Sequence, residues 1–554
     1  MISQFSFQWV LSVHSKPHII TLIGSGLFAL LLSACQSLPN TPHLPKSQAL
    51  TIKSQLLHQT QADEPMHTAL SQSLDAQAQS HPNLSGYYPI SKGSNAFASR
   101  SILSDLATQT IDIQYYIWHN DEAGQLMLKD LWEAAERGVM VRLLLDDMNS
   151  SPALDKVLVR FAEHPNVAVR LMNPMANRKI RTVNYLSEPV RINARMHNKS
   201  MTFDNRISII GGRNIGNEYL NNNTVNNFAD LDVLLVGSVV KDVTNSFEEY
   251  WSSPLAYDIE TLVAKNTLSP SELLNPIIFD DLDHSKTASK NERALRSYRQ
   301  AVQNSTIGED LIQRRIPFRW TTIELFVDPA TKLSNAKASE NQHLVAKLQR
   351  RLGRPTSDFS IISSYFVPTK DGVNTLVALA NRGVKISILT NSFDATDVGV
   401  VHSGYAHWRK QLLQAGVKLY EVKSSATNEK DNDNKFWRTK QLTTTSLHAK
   451  AFAVDKQLVF IGSYNIDPRS ANINTELGVL IHDQSLATQL HQALQSNPAL
   501  LKQAYELKLN DTGQIDWHTI NDGTPAIYHS EPNTNLKDRA GIVLLGLLPI
   551  DWLL

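Results

Sequence analysis

The chain has a single cysteine and no excess of either charge. Cys35 is the one cysteine among 554 residues, so no intramolecular disulfide can form. The 53 Lys and Arg residues balance 53 Asp and Glu residues. General nucleic-acid binders usually carry a basic excess, so this balance counts against DNA or RNA as the main partner.

Two kinds of motif are also missing. The sequence has no Gly-x-x-x-x-Gly-Lys-Ser/Thr loop, which binds nucleotide phosphates, and no His-Glu-x-x-His pair, which binds zinc. Cysteine ligands for zinc are lacking as well. We therefore expect neither a metal nor another cofactor.

The cysteine ends an apolar segment near the N-terminus. A basic flank with Lys16 precedes the uncharged run 19–34, which is shorter than the ~20 residues of a membrane-spanning helix. Its last residues, Leu32-Ser33-Ala34-Cys35, resemble the lipobox of bacterial lipoproteins. The pattern predicts a lipoprotein signal peptide over 1–34 and lipidation of Cys35; the alternative is an uncleaved signal anchor.

The residues after Cys35 indicate which membrane holds the protein and predict a flexible tether. Gln36 stands where inner-membrane retention in many Gram-negative lipoproteins uses Asp. By that resemblance we expect the protein in the envelope of a Gram-negative-type cell, on the periplasmic face of the outer membrane. Residues 36–80 are rich in Gln, Ser, Pro, His and Thr, which predicts a flexible tether over 35–85.

The rest of the chain presents one series of elements twice. Arg137-Gly138-Val139 and Arg382-Gly383-Val384 each end a predicted helix and open an apolar strand. Alternating helices and apolar strands predict an α/β fold with a largely parallel sheet in each half. Two such halves would bring their equivalent strand ends together.

The predicted layout has four parts after the tether: a first half over 86–255, a helical connector over 256–316, a second half over 317–505 and a C-terminal extension over 506–554. Within the extension, 540–554 holds one charged side chain, Asp551. This stretch is either a membrane-contacting segment or an ordinary core element.

One motif occurs in both halves. It reads His-x-Lys, four residues, Asp, six residues, Gly-Gly or Gly-Ser, one residue, Asn. Two copies at identical spacing are hard to explain without shared chemistry. The motif residues are His197, Lys199, Asp204, Gly211, Gly212 and Asn214, and then His448, Lys450, Asp455, Gly462, Ser463 and Asn465.

The spacing predicts how these side chains are displayed. In a strand, positions i and i+2 share a face, so His197 and Lys199 lie side by side. Asp204 then falls where the chain turns back, and Asp favours tight turns. Each motif Asp is therefore either a turn residue or a direct catalyst. The glycines allow close backbone approach beside the Asn amides.

Two imidazoles, two ammonium groups and two amides around one cavity suit a phosphodiester. One His could attack phosphorus while the other protonates the leaving oxygen. A carboxylate on the second ring nitrogen would fix each tautomer. We predict Glu476 for His448, and Asp230 for His197 with Asp232 as the competing choice.

Together these residues resemble the double motif of the phospholipase D superfamily over about residues 86–505. The stretches 137–147, 391–405 and 547–554 are similar to its bacterial cardiolipin synthase branch, particularly the C-type members. The resemblance implies two phospholipase D-type α/β/α sandwich halves that form one pseudo-twofold site. It also implies a metal-free two-step transfer with His197 as nucleophile and His448 as general acid and base.

The resemblance makes membrane phospholipids the expected partners, with phosphatidylethanolamine as donor and phosphatidylglycerol as acceptor. We expect a phosphatidyl transferase that makes cardiolipin. The alternatives are a phospholipase D that uses water, a nuclease of the same superfamily, and a non-catalytic envelope-binding protein. The zero net charge and the predicted lipoprotein signal weigh against a nuclease. The two complete motifs weigh against a non-catalytic protein.

Overall fold

The structure, a computed structural model, describes residues 37–60, 69–220, 227–263, 298, 300, 302–334, 339–396, 398–424, 445–495 and 498–546. Cys35, the predicted signal peptide over 1–34 and the segment 547–554 lie outside these residues. No helix in the described ranges is both long enough and apolar enough to span a bilayer.

Two helices occupy part of the segment that the sequence predicts as a flexible tether. They are α1, Pro45–Thr60, and α2, Ala69–Ser80. Leu50 and Leu74 are buried: Leu74 joins the core of the first half, and Leu50 joins an apolar cluster with residues of both halves. The flexible-tether prediction is therefore wrong for these helices. Their polar composition concealed them because each buries only a few apolar side chains.

The first half is built on a nine-stranded sheet with helices around it. The nine strands of this sheet are β1 Ser85–Ile90, β2 Thr110–Tyr115, β3 Met140–Asp146, β4 Val167–Met172, β5 Ser200–Phe203, β6 Ile207–Gly211, β8 Asp232–Gly237, β9 Ala256–Asp258 and β10 Arg319–Thr321. A further strand, β7 Asn227–Ala229, lies outside the sheet and pairs with a strand of the second half. The helices are α3 Gly93–Leu106, α4 Glu122–Glu136, α5 Pro152–Phe161, α6 Val183–Ser187, α7 Pro189–Asn193, α8 Asn217–Leu220, α9 Ser238–Trp251, α10 Ile259–Leu262 and α11 Thr306–Ile312.

The strand order is β10-β1-β8-β6-β5-β2-β3-β4-β9. Only β2, β3 and β4 run parallel to one another, and every other neighbouring pair in this sheet is antiparallel. The expected largely parallel sheet is therefore wrong. Strands joined by a tight turn must be antiparallel, and the motif itself forms such a hairpin between β5 and β6.

The second half repeats this plan and extends it. Its strands are β11 Ile323–Val327, β12 Asp358–Ser363, β13 Lys385–Asn391, β14 Lys418–Val422, β15 Thr445–Leu447, β16 Lys450–Val454, β17 Leu458–Gly462, β18 Leu477–His482, β19 Ala504–Leu509, β20 Ile515–Asn521 and β21 Thr524–Tyr528. Its helices are α12 Leu344–Leu352, α13 Thr369–Asn381, α14 Gly399–Ala406, α15 Arg409–Gln414, α16 Pro468–Asn472, α17 Gln484–Ala493, α18 Pro498–Gln503 and α19 Leu536–Gly546, with 3-10 turns at Ala330–Leu333 and Glu340–Gln342.

The order β11-β18-β17-β16-β12-β13-β14 matches β1-β8-β6-β5-β2-β3-β4 strand for strand. The predicted α/β fold with two equivalent halves is confirmed. The sheets cross the predicted boundaries, because β9 and β10 belong to the first sheet and β19 to β21 extend the second. These peripheral strands lack the long apolar runs that marked the central ones.

The two halves share an apolar layer because their strands alternate. In β8, Leu234 packs into the core of the first half, whereas Val233 faces the layer between the halves. In β18, Leu480 packs into the second core, whereas Val479 joins the same shared layer. Side chains of successive strand residues point to opposite faces, so one strand can serve both cores.

The motif aspartates form the hairpin turns. Asp204 and Asp455 have φ values of 49° and 52°, in the left-handed region that Asp and Asn tolerate in such turns. The Asp204 carboxylate accepts N–H groups of Thr108, Gln109 and Thr110 at 2.8 to 3.2 Å. Asp455 accepts the equivalent N–H groups of 356 to 358. Each Asp therefore ties its hairpin to the start of a central strand.

We expect Asp204→Ala to lower the free energy of unfolding by about 2–4 kcal/mol, because three N–H groups lose their acceptor and the contact with Thr110 is buried. Asp204 is 5% exposed. Asp455 is more exposed, so water can replace its carboxylate and Asp455→Ala should cost about 1 kcal/mol. Urea titration measures both values. An equal cost for the two variants would contradict the difference in burial.

Candidate active site

His448 lies where a strand of the first half meets a strand of the second. β7 and β15 pair in parallel, with Leu447 opposite Ala229. The N–H groups of His448 and Ala449 both donate to the Ala229 carbonyl, at 2.8 and 3.1 Å. The next residue, Asp230, is therefore beside His448. Its Oδ2 lies 2.6 Å from His448 Nδ1.

His197 has the mirrored arrangement. Met196 forms a parallel bridge with Thr475, and the His197 N–H donates to the Thr475 carbonyl at 2.9 Å. The following residue is Glu476, whose Oε2 lies 2.8 Å from His197 Nδ1. Each imidazole is thus held by a carboxylate of the opposite half.

This exchange corrects the predicted pairs. Asp230 orients His448 rather than His197, and Glu476 orients His197 rather than His448. Sequence proximity suggested partners within one half, but the strand segments cross between the halves and reverse the assignment. Asp232, the competing choice, bonds Arg100 at 2.9 Å inside the first half.

The lysines and asparagines line the same site. Lys199 donates to the His197 carbonyl at 2.7 Å, and Lys450 donates to the His448 carbonyl. Both lysines are 1% exposed. Asn214 accepts the Ile117 N–H, and its buried Nδ2 has no hydrogen-bond partner within the described ranges. That amide is a donor available for a phosphate oxygen.

Asn465 is anchored through Ser364, which the sequence did not single out. Ser364 donates to Asn465 Oδ1 at 2.9 Å, and it accepts Lys450 Nζ at 2.9 Å. The equivalent position in the first half is Tyr116, whose ring lies 4.9 Å from the His197 ring and 5.4 Å from Lys199 Nζ. The parallel bridges two residues further on, at Trp118 and Phe366, reveal the equivalence. Alignment of the two halves could have found this pair.

The Gly-Gly and Gly-Ser variation has a structural reason. A Cβ at Gly212 would lie 2.2 Å from Asp230 Oδ1, so only glycine fits there. At the equivalent position Ser463 donates to Glu476 Oε2 and accepts the Leu477 N–H at 3.0 Å. The two carboxylates therefore have different surroundings.

Burial governs the protonation of both imidazoles. It lowers the pKa of His448 to about 4, with Lys450 adding to the effect and Asp230 opposing it. Burial and the charges of Lys199 and Lys450 hold the pKa of His197 well below its usual value. Both histidines are therefore neutral near pH 7 in the unliganded site.

The flanking charged groups differ between the halves. Burial alone would raise the pKa of Asp230, but attraction from His448 and Lys450 lowers it to about 2. Burial raises the pKa of Glu476 to about 7 against the attraction of Lys199. Burial likewise lowers the pKa of Lys199 to about 7. The carboxylate beside His448 stays ionised at neutral pH, whereas the one beside His197 titrates there.

One group among the described residues has the composition of a metal site: His119, Asp121 and Glu218, with ligand atoms within 4.8 Å of one another. Its polar atoms already have protein partners. Asp121 accepts the N–H groups of Gly124 and Asn217, and Glu218 pairs with His119 at 3.0 Å. The group is a hydrogen-bonded cluster of helix ends.

A fold of two equivalent halves, each giving one His, Lys, Asn and carboxylate to a buried site, defines an enzyme of the phospholipase D superfamily. A family model described as "Cardiolipin synthase, PLD-like domain" matches residues 103–251 and 348–497, one stretch in each half. The chain belongs to this cardiolipin synthase family of phospholipase D-like proteins.

Two relatives illustrate the similarity. Cardiolipin synthase C of Escherichia coli (strain K12) is 38% identical over 475 residues, which cover 86% of this chain and 97% of that protein. Cardiolipin synthase of Staphylococcus aureus (strain Mu50 / ATCC 700699) is 26% identical over 391 residues, 70% of this chain and 62% of that protein.

Among solved structures, phosphatidylserine synthase of Haemophilus influenzae Rd KW20 matches with a TM-score of 0.51 and 14% identity. The match covers 87% of this chain and 100% of that chain. At this identity the likeness concerns the fold.

The exchanged carboxylates can be tested by double-mutant cycles on the free energy of unfolding. His197→Ala and Glu476→Gln should show a coupling energy of about 1–3 kcal/mol, because their side chains share a buried hydrogen bond. His197→Ala and Asp230→Asn should show less than about 0.5 kcal/mol. The same comparison around His448 should give the opposite preference. Stronger coupling of His197 to Asp230 would refute the exchange.

Proposed function

We propose that this protein transfers a phosphatidyl group between phospholipids through a phosphohistidine and thereby makes cardiolipin. The observation that carries the proposal is the pair of buried imidazoles, each hydrogen-bonded to a carboxylate, with two buried lysines whose charges act on both rings. The 38% identity to cardiolipin synthase C over most of both chains supports the same reaction. Phosphatidylglycerol is the proposed acceptor, and phosphatidylethanolamine the proposed donor.

In the first step, His197 attacks the phosphorus of the donor. Glu476 occupies Nδ1, which leaves Nε2 to form the P–N bond. The P–O bond to the headgroup alcohol breaks, and His448 supplies the proton to the leaving oxygen. Lys199, Lys450 and the asparagine amides balance the charge on the non-bridging oxygens.

In the second step, His448 accepts a proton from a glycerol hydroxyl of phosphatidylglycerol. The hydroxyl oxygen attacks phosphorus, the P–N bond breaks, and His197 returns to its neutral form. His448 holds this proton until the product leaves, and it takes up a proton again when the next donor phosphodiester binds. Water in place of the hydroxyl would give phosphatidic acid, so exclusion of water separates a transferase from a hydrolase.

The surroundings of the two histidines support these roles. A nucleophile must be neutral, and Lys199, Lys450 and Arg469 all oppose a positive charge on His197. An acid must hold a proton, and the ionised Asp230 beside His448 favours the imidazolium. The bound phosphodiester brings a further negative charge, which raises the proton affinity of His448 when substrate is present.

The protein would work at a membrane surface through two features. Lipid on Cys35 would anchor it, and by the lipobox resemblance we propose the periplasmic face of the outer membrane. The C-terminal extension would contact the bilayer. In α19, Leu536, Val543 and Leu544 are 81%, 62% and 65% exposed. The loop before this helix is fixed to the second half by Glu531, which pairs with buried Arg409.

Vesicles of phosphatidylethanolamine and phosphatidylglycerol test the reaction directly. We expect the purified protein to form cardiolipin, measured by mass spectrometry of the lipids. His197→Ala and His448→Ala should each lower turnover by about 10²-fold or more, since general acid–base groups contribute about 10²–10⁴-fold. His529→Ala is the matched control, because this His is 75% exposed. Phosphatidic acid as the only product would reject the transferase, and substantial activity of either site variant would reject the two-histidine mechanism.

Intact-mass measurement tests the anchor. If the signal peptide is processed as proposed, the mature chain starts at Cys35 and carries diacylglycerol and an amide-linked acyl chain. Cys35→Ser should abolish both processing and lipidation, because the thiol is the attachment site. An unprocessed N-terminus in the unaltered protein would reject the lipoprotein assignment without affecting the catalytic proposal.

A further inference from the structure

Four large apolar side chains are exposed on one short segment just before the first motif. Ile180, Tyr185, Leu186 and Val190 are 47%, 42%, 86% and 74% exposed. They belong to the loop before α6 and to the helices α6 and α7. We call residues 178–193 the α6–α7 segment.

Buried side chains hold the segment in place. Val183 and Ile192 make its inward packing and are 7% and 0% exposed. Polar contacts add to this attachment: Asn184 Nδ2 donates to the Asn177 carbonyl at 2.8 Å, and Asn173 Nδ2 donates to the Arg191 carbonyl at 2.8 Å. The exposed apolar side chains therefore project from a segment that is held firmly against the fold.

Ion pairs with buried carboxylates add to this attachment. Arg178 donates to Asp147 at 2.8 Å, and Arg181 donates to Asp155 at 2.9 Å. Asp147 is 0% exposed and follows β3 directly. Charged groups held this way set the position of the segment relative to the central sheet.

The segment lies close to the reacting histidine of the first motif. Tyr185 Oη is 3.1 Å from Met148 Sδ. The N–H groups of Met148 and Met196 both donate to Asp146, at 2.8 Å each, and Met196 precedes His197. At the far end of α7, Asn193 accepts Arg469, which follows the second motif. The segment is thus linked through Met148 and Asp146 to the backbone beside His197, and through Asn193 to the second half.

We propose that the α6–α7 segment docks on an anionic phospholipid bilayer and delivers lipid headgroups to His197. The inference rests on the proposed function, because that function makes bilayer lipids the substrates. Aliphatic and Tyr side chains beside basic groups are the composition of interfacial membrane segments. Arg178 and Arg181 pair with Asp147 and Asp155, and Arg191 pairs with Glu188, whereas Lys179 is exposed. Lys179 is therefore the basic side chain that the segment presents beside its exposed apolar residues.

Docking at this segment would bring the lipid phosphate close to His197. A diacyl substrate must bring its phosphate to a buried imidazole while its acyl chains stay in an apolar medium. Burying an exposed Leu and Val in the interface places the bilayer beside the site. The headgroup then travels a short distance, and the acyl chains need not leave the membrane.

The test compares two double variants of the full chain. Leu186→Ser/Val190→Ser removes the most exposed pair, and Ile312→Ser/Ile527→Ser removes two aliphatic side chains that are 61% and 52% exposed elsewhere. Turnover is measured on phosphatidylglycerol–phosphatidylethanolamine vesicles and on short-chain analogues dissolved as monomers. We expect the vesicle-to-monomer ratio of kcat/KM to fall about tenfold or more in the first variant, as for a loss of ~1.4 kcal/mol of interfacial binding. The second variant should keep the ratio of the unaltered protein.

A label reports the contact without turnover. The fluorophore NBD attached at Leu186→Cys should shift its emission to the blue on vesicles, whereas NBD at Ile312→Cys should not. The unaltered chain, treated in the same way, gives the background signal. If the protein formed only phosphatidic acid, the transferase proposal would fail while a blue shift still supported docking. An unchanged ratio, equal losses on vesicles and monomers, or no shift at 186 would overturn the docking proposal. A changed oligomeric state in Leu186→Ser/Val190→Ser would instead assign the surface to self-association.

Discussion

The hydrogen bond from each motif histidine to a carboxylate of the opposite half is the constraint on which the site depends. Asp230 and Glu476 stand directly after strand residues that pair across the halves, so the same backbone contacts that join the halves also set the imidazoles. Neither half holds a complete site. The shared apolar layer between the sheets keeps these contacts in register, and the catalytic geometry is therefore a property of the assembled pair.

Burial changes the protonation and the charge interactions of the site residues. The two imidazoles are kept neutral because charging them inside the site is costly and two lysines stand nearby. Charge interactions are weakly screened there, so a protonated lysine in the site interacts strongly with a bound phosphate. The Gly212 and Ser463 positions then break the symmetry by giving Asp230 and Glu476 different surroundings. One fold repeated twice can in this way provide two histidines with distinct roles.

Much of this could be read from the sequence because the pattern is local and doubled. The position of Asp204 predicted the turn. The predicted strand included His197 and Lys199, whereas β5 begins at Ser200, and Lys199 instead donates to the His197 carbonyl. The strand order was less accessible, since hairpin geometry made most pairs antiparallel. The helices α1 and α2 were missed because each buries few apolar residues. Tyr116 and Ser364 were missed because each carries no motif of its own and matters only through its neighbours.

The sequence by itself determined the residue types, their spacing and the duplication, because these depend on short-range periodicity and on the chemistry of His, Lys, Asp and Asn. Only the tertiary structure decided which carboxylate serves which histidine. Asp230 is 33 residues from His197 in the chain, yet it bonds His448, 218 residues away. Chain distance could not reveal this exchange. The pairing of β7 with β15 brings strand ends from both halves together, and that contact exists only once the two halves have packed.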